Sequence, residues 1–147
     1  MSKSISLSIV LPVSAEALYS AWLSTRGHSA ITGSPASVEQ KSGGSFTAWD
    51  GYISGKTVKT EIFRRIVQTW RTTDFPEGSP DSRLEIRFEE EKGGTRLLLE
   101  HTGLQDGMEK EIEKGWKEYY FKPMKKYFAR RGREKWEDAF GKKIADD

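Results

Sequence analysis

Between Gly115 and Phe128 the chain reads GWKEYYFKPMKKYF, a span with six aromatic rings: Trp116, Tyr119, Tyr120, Phe121, Tyr127 and Phe128. Trp116, Tyr119, Tyr120, Pro123, Met124, Tyr127 and Phe128 recur at steps of three and four, so a helix over this span carries a broad apolar stripe. Such a stripe must be buried, and it needs a large apolar surface to lie on. Gly115 removes a side chain beside the stripe, where a second backbone or a ligand can come close. Pro123 has no N–H to give and is predicted to bend the helix in its middle.

The rest of the chain supplies that surface as strands. Ile5, Leu7, Ile9 and Leu11 alternate with Ser4, Ser6, Ser8 and Val10, giving one apolar face, and Pro12 stops the run. Ser14 is placed to cap a short helix over Ala15 to Leu23 that buries Leu18, Tyr19 and Trp22. Either Ser24 or Thr25 can cap a second one, ending at Gly33. Short strands are expected at 36–40, 45–49, 52–63, 66–72, 82–90 and 95–102. Asp50-Gly51 marks a hairpin turn, and Gly55 a bulge or a close approach. Leu84, Ile86 and Phe88 alternate with Arg83, Glu85, Arg87 and Glu89, while Leu97, Leu99 and His101 share a face. Half-apolar strands fit an antiparallel sheet with one wet side. The predicted fold is therefore α+β: a curved antiparallel sheet of about six to seven strands gripping a long C-terminal helix, with two short helices after the first strand.

A chain of 147 residues is one domain by size. Residues 4–129 are expected to form its core and 130–147 a basic, amphipathic tail through Trp136, Phe140 and Ile144. No cysteine is present, so disulfides and thiolate chemistry are excluded. The opening MSKSISLSIVLP lacks a signal-peptide apolar region and no segment approaches a membrane span; a cytoplasmic, monomeric protein is the expectation. From Lys114 to Lys135 nine Lys/Arg face two acidic residues, although the whole chain is only +2. With rings interleaved, this segment invites a nucleic-acid reading, but those rings fall on the buried stripe and leave few for stacking. Lys122, Lys125, Lys126, Arg130 and Arg131 are instead the residues expected to meet a protein partner.

Metal and cofactor motifs are lacking: His28 and His101 are far apart, and the Gly-Gly pairs at 43–44 and 93–94 read as hairpin turns. Three polar residues stand out as candidates for proton chemistry. His101 shares the inward face of its strand, Asp50 sits in a turn, and Arg71 points away from Trp70 but is placed to meet a carboxylate at a pocket mouth. A bent helix cannot seal a curved sheet everywhere, so a cavity is expected between them. Its expected lining is Trp22, Trp49, Trp70, Phe75, Leu84, Ile86, Leu99, His101, Trp116, Tyr119, Tyr120 and Met124. Rings of this kind suit a flat, mostly apolar ligand with one or two polar groups.

Several segments, in order, resemble one family. They are the opening strand with Pro12, the helix around Leu18–Trp22, GGSFTAWDGYISG (43–55), IVQTWR (66–71), FPEG (75–78), GGTRLLLEHTGL (93–104) and GWKEYYFKPMKKYF (115–128). Together they are similar to the C-terminal domain of the activators of the heat shock protein 90 ATPase, within the START-like (Bet v 1-like, SRPBCC) superfamily. The resemblance implies the helix–grip fold; no cofactor and no metal are expected, for want of their motifs. Co-chaperone members carry a separate N-terminal domain that makes the main chaperone contact, whereas this chain opens directly at the first strand. Three functions are expected, in this order: a non-enzymatic holder of a small hydrophobic or aromatic ligand, read from the ring-rich lining and the bent helix; a domain interacting with a heat shock protein 90 homologue, implied by the resemblance alone; and a cyclase-like enzyme of the kind found elsewhere in the superfamily, with His101, Asp50 and Arg71 as its candidates.

Overall fold

The structure, a computed structural model, describes the backbone of residues 3–139 and the side chains of residues 3–130. Seven strands form one sheet: β1 (Lys3–Leu11), β2 (Ser37–Val38), β3 (Ser45–Ala48), β4 (Ile53–Glu61), β5 (Arg65–Thr72), β6 (Ser82–Glu91) and β7 (Gly94–Leu104). The spatial order is β1-β7-β6-β5-β4-β3-β2, and every pairing is antiparallel. Only β1 crosses over, so the rest is a meander, its hairpins ranging from the two-residue β6–β7 turn to the loop 73–81 between β5 and β6. Period-two burial along β6 and β7 puts Leu84, Ile86, Phe88, Leu97, Leu99 and His101 on one inner face.

Two short helices follow β1: α1 (Ala15–Trp22) and α2 (Thr25–Thr32). Ser14 caps the first by accepting from the Ala17 N–H, and Ser24, rather than Thr25, caps the second through the Gly27 N–H. Gly33 closes α2 in the left-handed conformation, φ 77°. At Gly55 a side chain is sterically barred, because a Cβ would run into the Thr69 carbonyl oxygen and the Phe46 ring. The extra residue in β4 comes slightly later, between Thr57 and Lys59.

The C-terminal helix departs from expectation at its start. It begins at Glu109, six residues before Gly115, as α3 (Glu109–Trp116), continues as a π-helical turn (Lys117–Phe121), and resumes as α4 (Lys122–Ala139). The first turns were illegible as a helix because EKEIEK is almost wholly polar. The disturbance expected from Pro123 takes the form of the π turn: the Lys122 N–H reaches back to the Lys117 carbonyl. Pro123 has no N–H for the Tyr119 carbonyl, and widening the turn before it removes the clash of its ring with that group. The tail expectation at Phe140 and Ile144 lies outside the described residues.

Trp22, Trp70, Trp116, Tyr120, Met124 and Phe128 close over the sheet's inner face, all less than about a tenth exposed. No helix among the described residues is long and apolar enough to cross a membrane.

Candidate functional site

Most of the expected cavity between sheet and helix is filled by the protein's own rings. Trp70 and Trp116 lie 5.7 Å apart, Trp116 and Tyr120 4.8 Å, and Tyr120 and Trp22 5.2 Å, a continuous aromatic layer. Three of the four polar tips in this layer, those of Trp22, Trp116 and Tyr120, have a side-chain partner. The Trp116 Nε1–H donates to His101 Nδ1 at 3.1 Å, which makes Nδ1 an acceptor and puts the ring proton on Nε2. His101 Nε2–H then donates to Ser82 Oγ at 2.8 Å, and the Ser82 hydroxyl donates to the Trp70 carbonyl at 2.7 Å. A second chain runs through the other histidine. His28 Nδ1–H donates to the Trp22 carbonyl at 2.9 Å, so Nε2 accepts from the Tyr120 hydroxyl at 2.7 Å. The Trp22 indole donates to Gln68, whose amide donates to Thr57.

Burial disfavours charge on all three titratable members. His101 is pushed down to about 3, His28 is lowered, with its hydrogen bond to the Trp22 carbonyl opposing, and the Tyr120 phenol is raised. His101 has no exposed surface and both ring nitrogens are engaged, so it is sealed in as a neutral structural residue. The two other candidates for proton chemistry are also elsewhere employed. Asp50 is an exposed turn residue at φ 57°. Arg71 donates to Asp81 at 2.8 Å and to the Ser79 carbonyl at 2.9 Å, and its guanidinium lies over the Phe75 ring, so it clamps the 75–81 loop. The three do not converge on one site.

What remains open is a cleft of about 540 Å³ at one end of the sheet. One wall is the β3–β4 turn with the adjoining end of β5: Trp49, Tyr52, Ile53, Trp70, Thr72 and Asp74. The other is α3 and the π turn, from Met108 and Ile112 through Gly115 to Tyr119 and Tyr120. The π turn aims neighbouring rings in opposite senses, leaving Tyr119 57% exposed over the cleft while Tyr120 is buried. Tyr119 meets Trp49 edge-to-face at 5.3 Å across the gap. Gly115 is part of the wall, and a Cβ there would meet only the Tyr119 ring at 3.8 Å, so its bare backbone enlarges the cleft.

Trp49 is unusual twice over. Its backbone is left-handed at φ 52°, followed by Asp50 and Gly51 with φ also positive. Its Nε1–H is buried without a hydrogen-bond partner, the one such side-chain atom among the described residues.

Of the twelve residues expected to line a cavity, Trp49, Trp70, Trp116, Tyr119 and Tyr120 line this cleft. Trp22, Phe75, Leu84, Ile86, Leu99, His101 and Met124 do not line it: Trp22 lies within the aromatic layer against Tyr120, Phe75 packs beside Trp70 under Arg71, and the others are buried in the core. Sequence reasoning missed Tyr52, Asp74, Met108, Glu111 and Ile112, which stand at strand ends and on the polar start of α3. Among the described residues no group of side chains is arranged to hold a metal ion.

A family model described as "Activator of Hsp90 ATPase homolog 1-like protein" matches residues 12–129. The chain belongs to this family. Human "Activator of 90 kDa heat shock protein ATPase homolog 1" is 32% identical over 115 residues, which cover 78% of this chain and 34% of that protein. The mouse homolog 2 is 33% identical over 92 residues, 63% of this chain and 28% of its own length. The chain thus spans about a third of the length of these activators. Two solved structures share the helix–grip fold. An HSP90 activator from Plasmodium falciparum superposes with TM-score 0.73 at 24% identity, covering 80% of this chain and 90% of that one. CalU16 from Micromonospora echinospora gives 0.72 at 26% identity, covering 90% and 80%. Within the matched span of this family member lie the whole cleft and the aromatic layer behind it.

Proposed function

We propose that this domain is a non-enzymatic binding module that holds a small, flat, mostly apolar molecule in the cleft between β3–β5 and the α3–π segment. The observation that carries the reading is Trp49, whose ring lines the cleft while its indole N–H is buried without an acceptor. A buried donor without a partner costs about 1–3 kcal/mol. A ligand with an ether, hydroxyl or carbonyl oxygen on an aromatic body would supply what Trp49 lacks once the ring turns its N–H, which has no accessible surface as it stands, toward the cleft. The cleft's volume falls in the usual range for small-molecule sites. Catalysis is not part of the reading, because both histidines are sealed inside with their ring nitrogens engaged.

The test is calorimetric titration with para-ethylanisole, a flat apolar ether, into wild type and Gly115→Leu. Leucine at 115 projects into the cleft and replaces a helical glycine, so binding should vanish while thermal stability holds or rises by about 1 kcal/mol. Equal binding by both proteins, or none by either, would contradict the reading.

A second reading rests on the relatives' names. We propose that the domain also contacts an Hsp90-type chaperone through α4. Lys125, Lys126 and Arg130 are exposed there; Lys122 is engaged with Glu118 at 3.1 Å, and the Arg131 side chain lies outside the described residues. Pull-down and ATPase assays with the chaperone at two salt concentrations test it, since a contact made by these cations weakens as salt rises.

A further inference from the structure

The charges at the mouth of the cleft say more about its ligand. Asp74, Glu111 and Glu118 line it against one cation, Lys114. Glu118 is neutralised by Lys122, at 3.1 Å. Asp74 and Glu111 have no cationic side chain within ion-pair distance among the described residues, and Lys114 pairs with neither Glu111 nor Glu118. The two free carboxylates act on one spot. Asp74 accepts from the Tyr52 hydroxyl at 2.6 Å. That phenol is raised above its ordinary value by burial, by this hydrogen bond, and by the negative charges of Asp74 and Glu111 together. Beside them stand the half-open faces of Tyr52, 42% exposed, and Tyr119. Electron-rich faces next to carboxylates without a cationic partner form a place where a cation gains from both.

Resting on the cleft reading above, we propose that the cleft selects arylalkylamines: compounds with a flat apolar body, an oxygen acceptor that meets the Trp49 N–H, and an alkylammonium group that sits among Tyr52, Tyr119, Asp74 and Glu111. Lys114 opposes this and sets how strong the preference is. The apolar floor formed by Ile53, Trp70 and Trp116 takes the body regardless of charge, so the amine adds to an affinity that a neutral analogue already has.

Three probes with the same ring separate the terms: para-methoxyphenethylamine (cation), para-ethylanisole (neutral) and para-methoxyphenylpropionate (anion). Titrated calorimetrically into the full chain at low salt, the amine should bind about tenfold tighter than the neutral ether, and the acid more weakly than either. The double variant Asp74→Asn/Glu111→Gln should bring the amine down to the neutral compound, whose own affinity stays unchanged. Asparagine still accepts from Tyr52, so the cleft keeps its shape. Lys114→Gln should tighten the amine and weaken the acid. Raising salt to about 0.3 M should erode the amine's advantage and leave the ether alone. An amine no tighter than the ether, or an acid that binds best, overturns charge selection while leaving the cleft as a binding site. Binding of none of the three overturns both readings.

Discussion

His101 shows how one buried residue can set the pH behaviour of the domain. Its ordinary value near 6.5 applies to the unfolded chain, and burial brings it to about 3 in the folded one. Above pH 6.5 both states are neutral there and the residue adds no pH dependence. Between 6.5 and 3 the unfolded chain takes up a proton that the folded chain refuses, so stability falls as pH falls. The loss should reach about 2 kcal/mol at pH 5 from this residue alone, and His28, lowered for the same reason, adds in the same direction. Urea midpoints measured from pH 7.5 to 5 should therefore decline, and His101→Gln should flatten the slope. An unchanged slope would mean that His101 is not held neutral. At Tyr120 the effect is simpler: Tyr120→Phe leaves His28 Nε2 without its donor and should cost about 1–3 kcal/mol. Trp116→Ala opens the centre of the aromatic layer and should cost about 3–5 kcal/mol in the same denaturation assay.

Among the elements, the sheet is most exposed to error where β4 crosses β5. Gly55→Ala drives a methyl group into the Thr69 carbonyl oxygen, so the strands must part, and a loss of about 1–3 kcal/mol is expected, read as a lowered melting temperature. A melting temperature that rises would show that the backbones are not so close. The same elements show what the sequence makes legible. Strict alternation in β1, β6 and β7 announced them, because each has one wet face and one buried face. The aromatic stripe announced Trp116 to Phe128. By contrast, Glu109–Lys114 offered Ile112 as its only large apolar residue, and a helix lying half off the core leaves little periodicity to read. Pro123 signalled a disturbance in the helix, but whether a proline gives a kink or a π turn depends on what the helix packs against. Here the π turn lets Tyr120 enter the core and leaves Tyr119 over the cleft.

For the whole molecule, the division of labour between a sealed interior and an open end was the part that pattern could not give. Periodicity says which face of an element is buried, not whether two buried faces meet in contact or leave a gap. Trp22, Trp70, Trp116 and Tyr120 proved large enough to close the middle, and the space that survives is walled by a turn, a strand end and a glycine of the helix. Of the five tryptophans, Trp22, Trp49 and Trp116 differ in what their indole N–H groups meet, and one experiment can read that difference. In a ¹⁵N–¹H correlation spectrum each indole N–H gives its own signal, assignable by substituting each tryptophan with phenylalanine. Trp22 and Trp116 donate to buried partners, Gln68 and His101, whereas Trp49 donates to none. On titration with para-methoxyphenethylamine the Trp49 indole signal should move downfield and saturate while that of Trp22, which does not line the cleft, stays in place. A Trp49 signal that does not respond, or a Trp22 signal that moves in its stead, would contradict the cleft as the binding site.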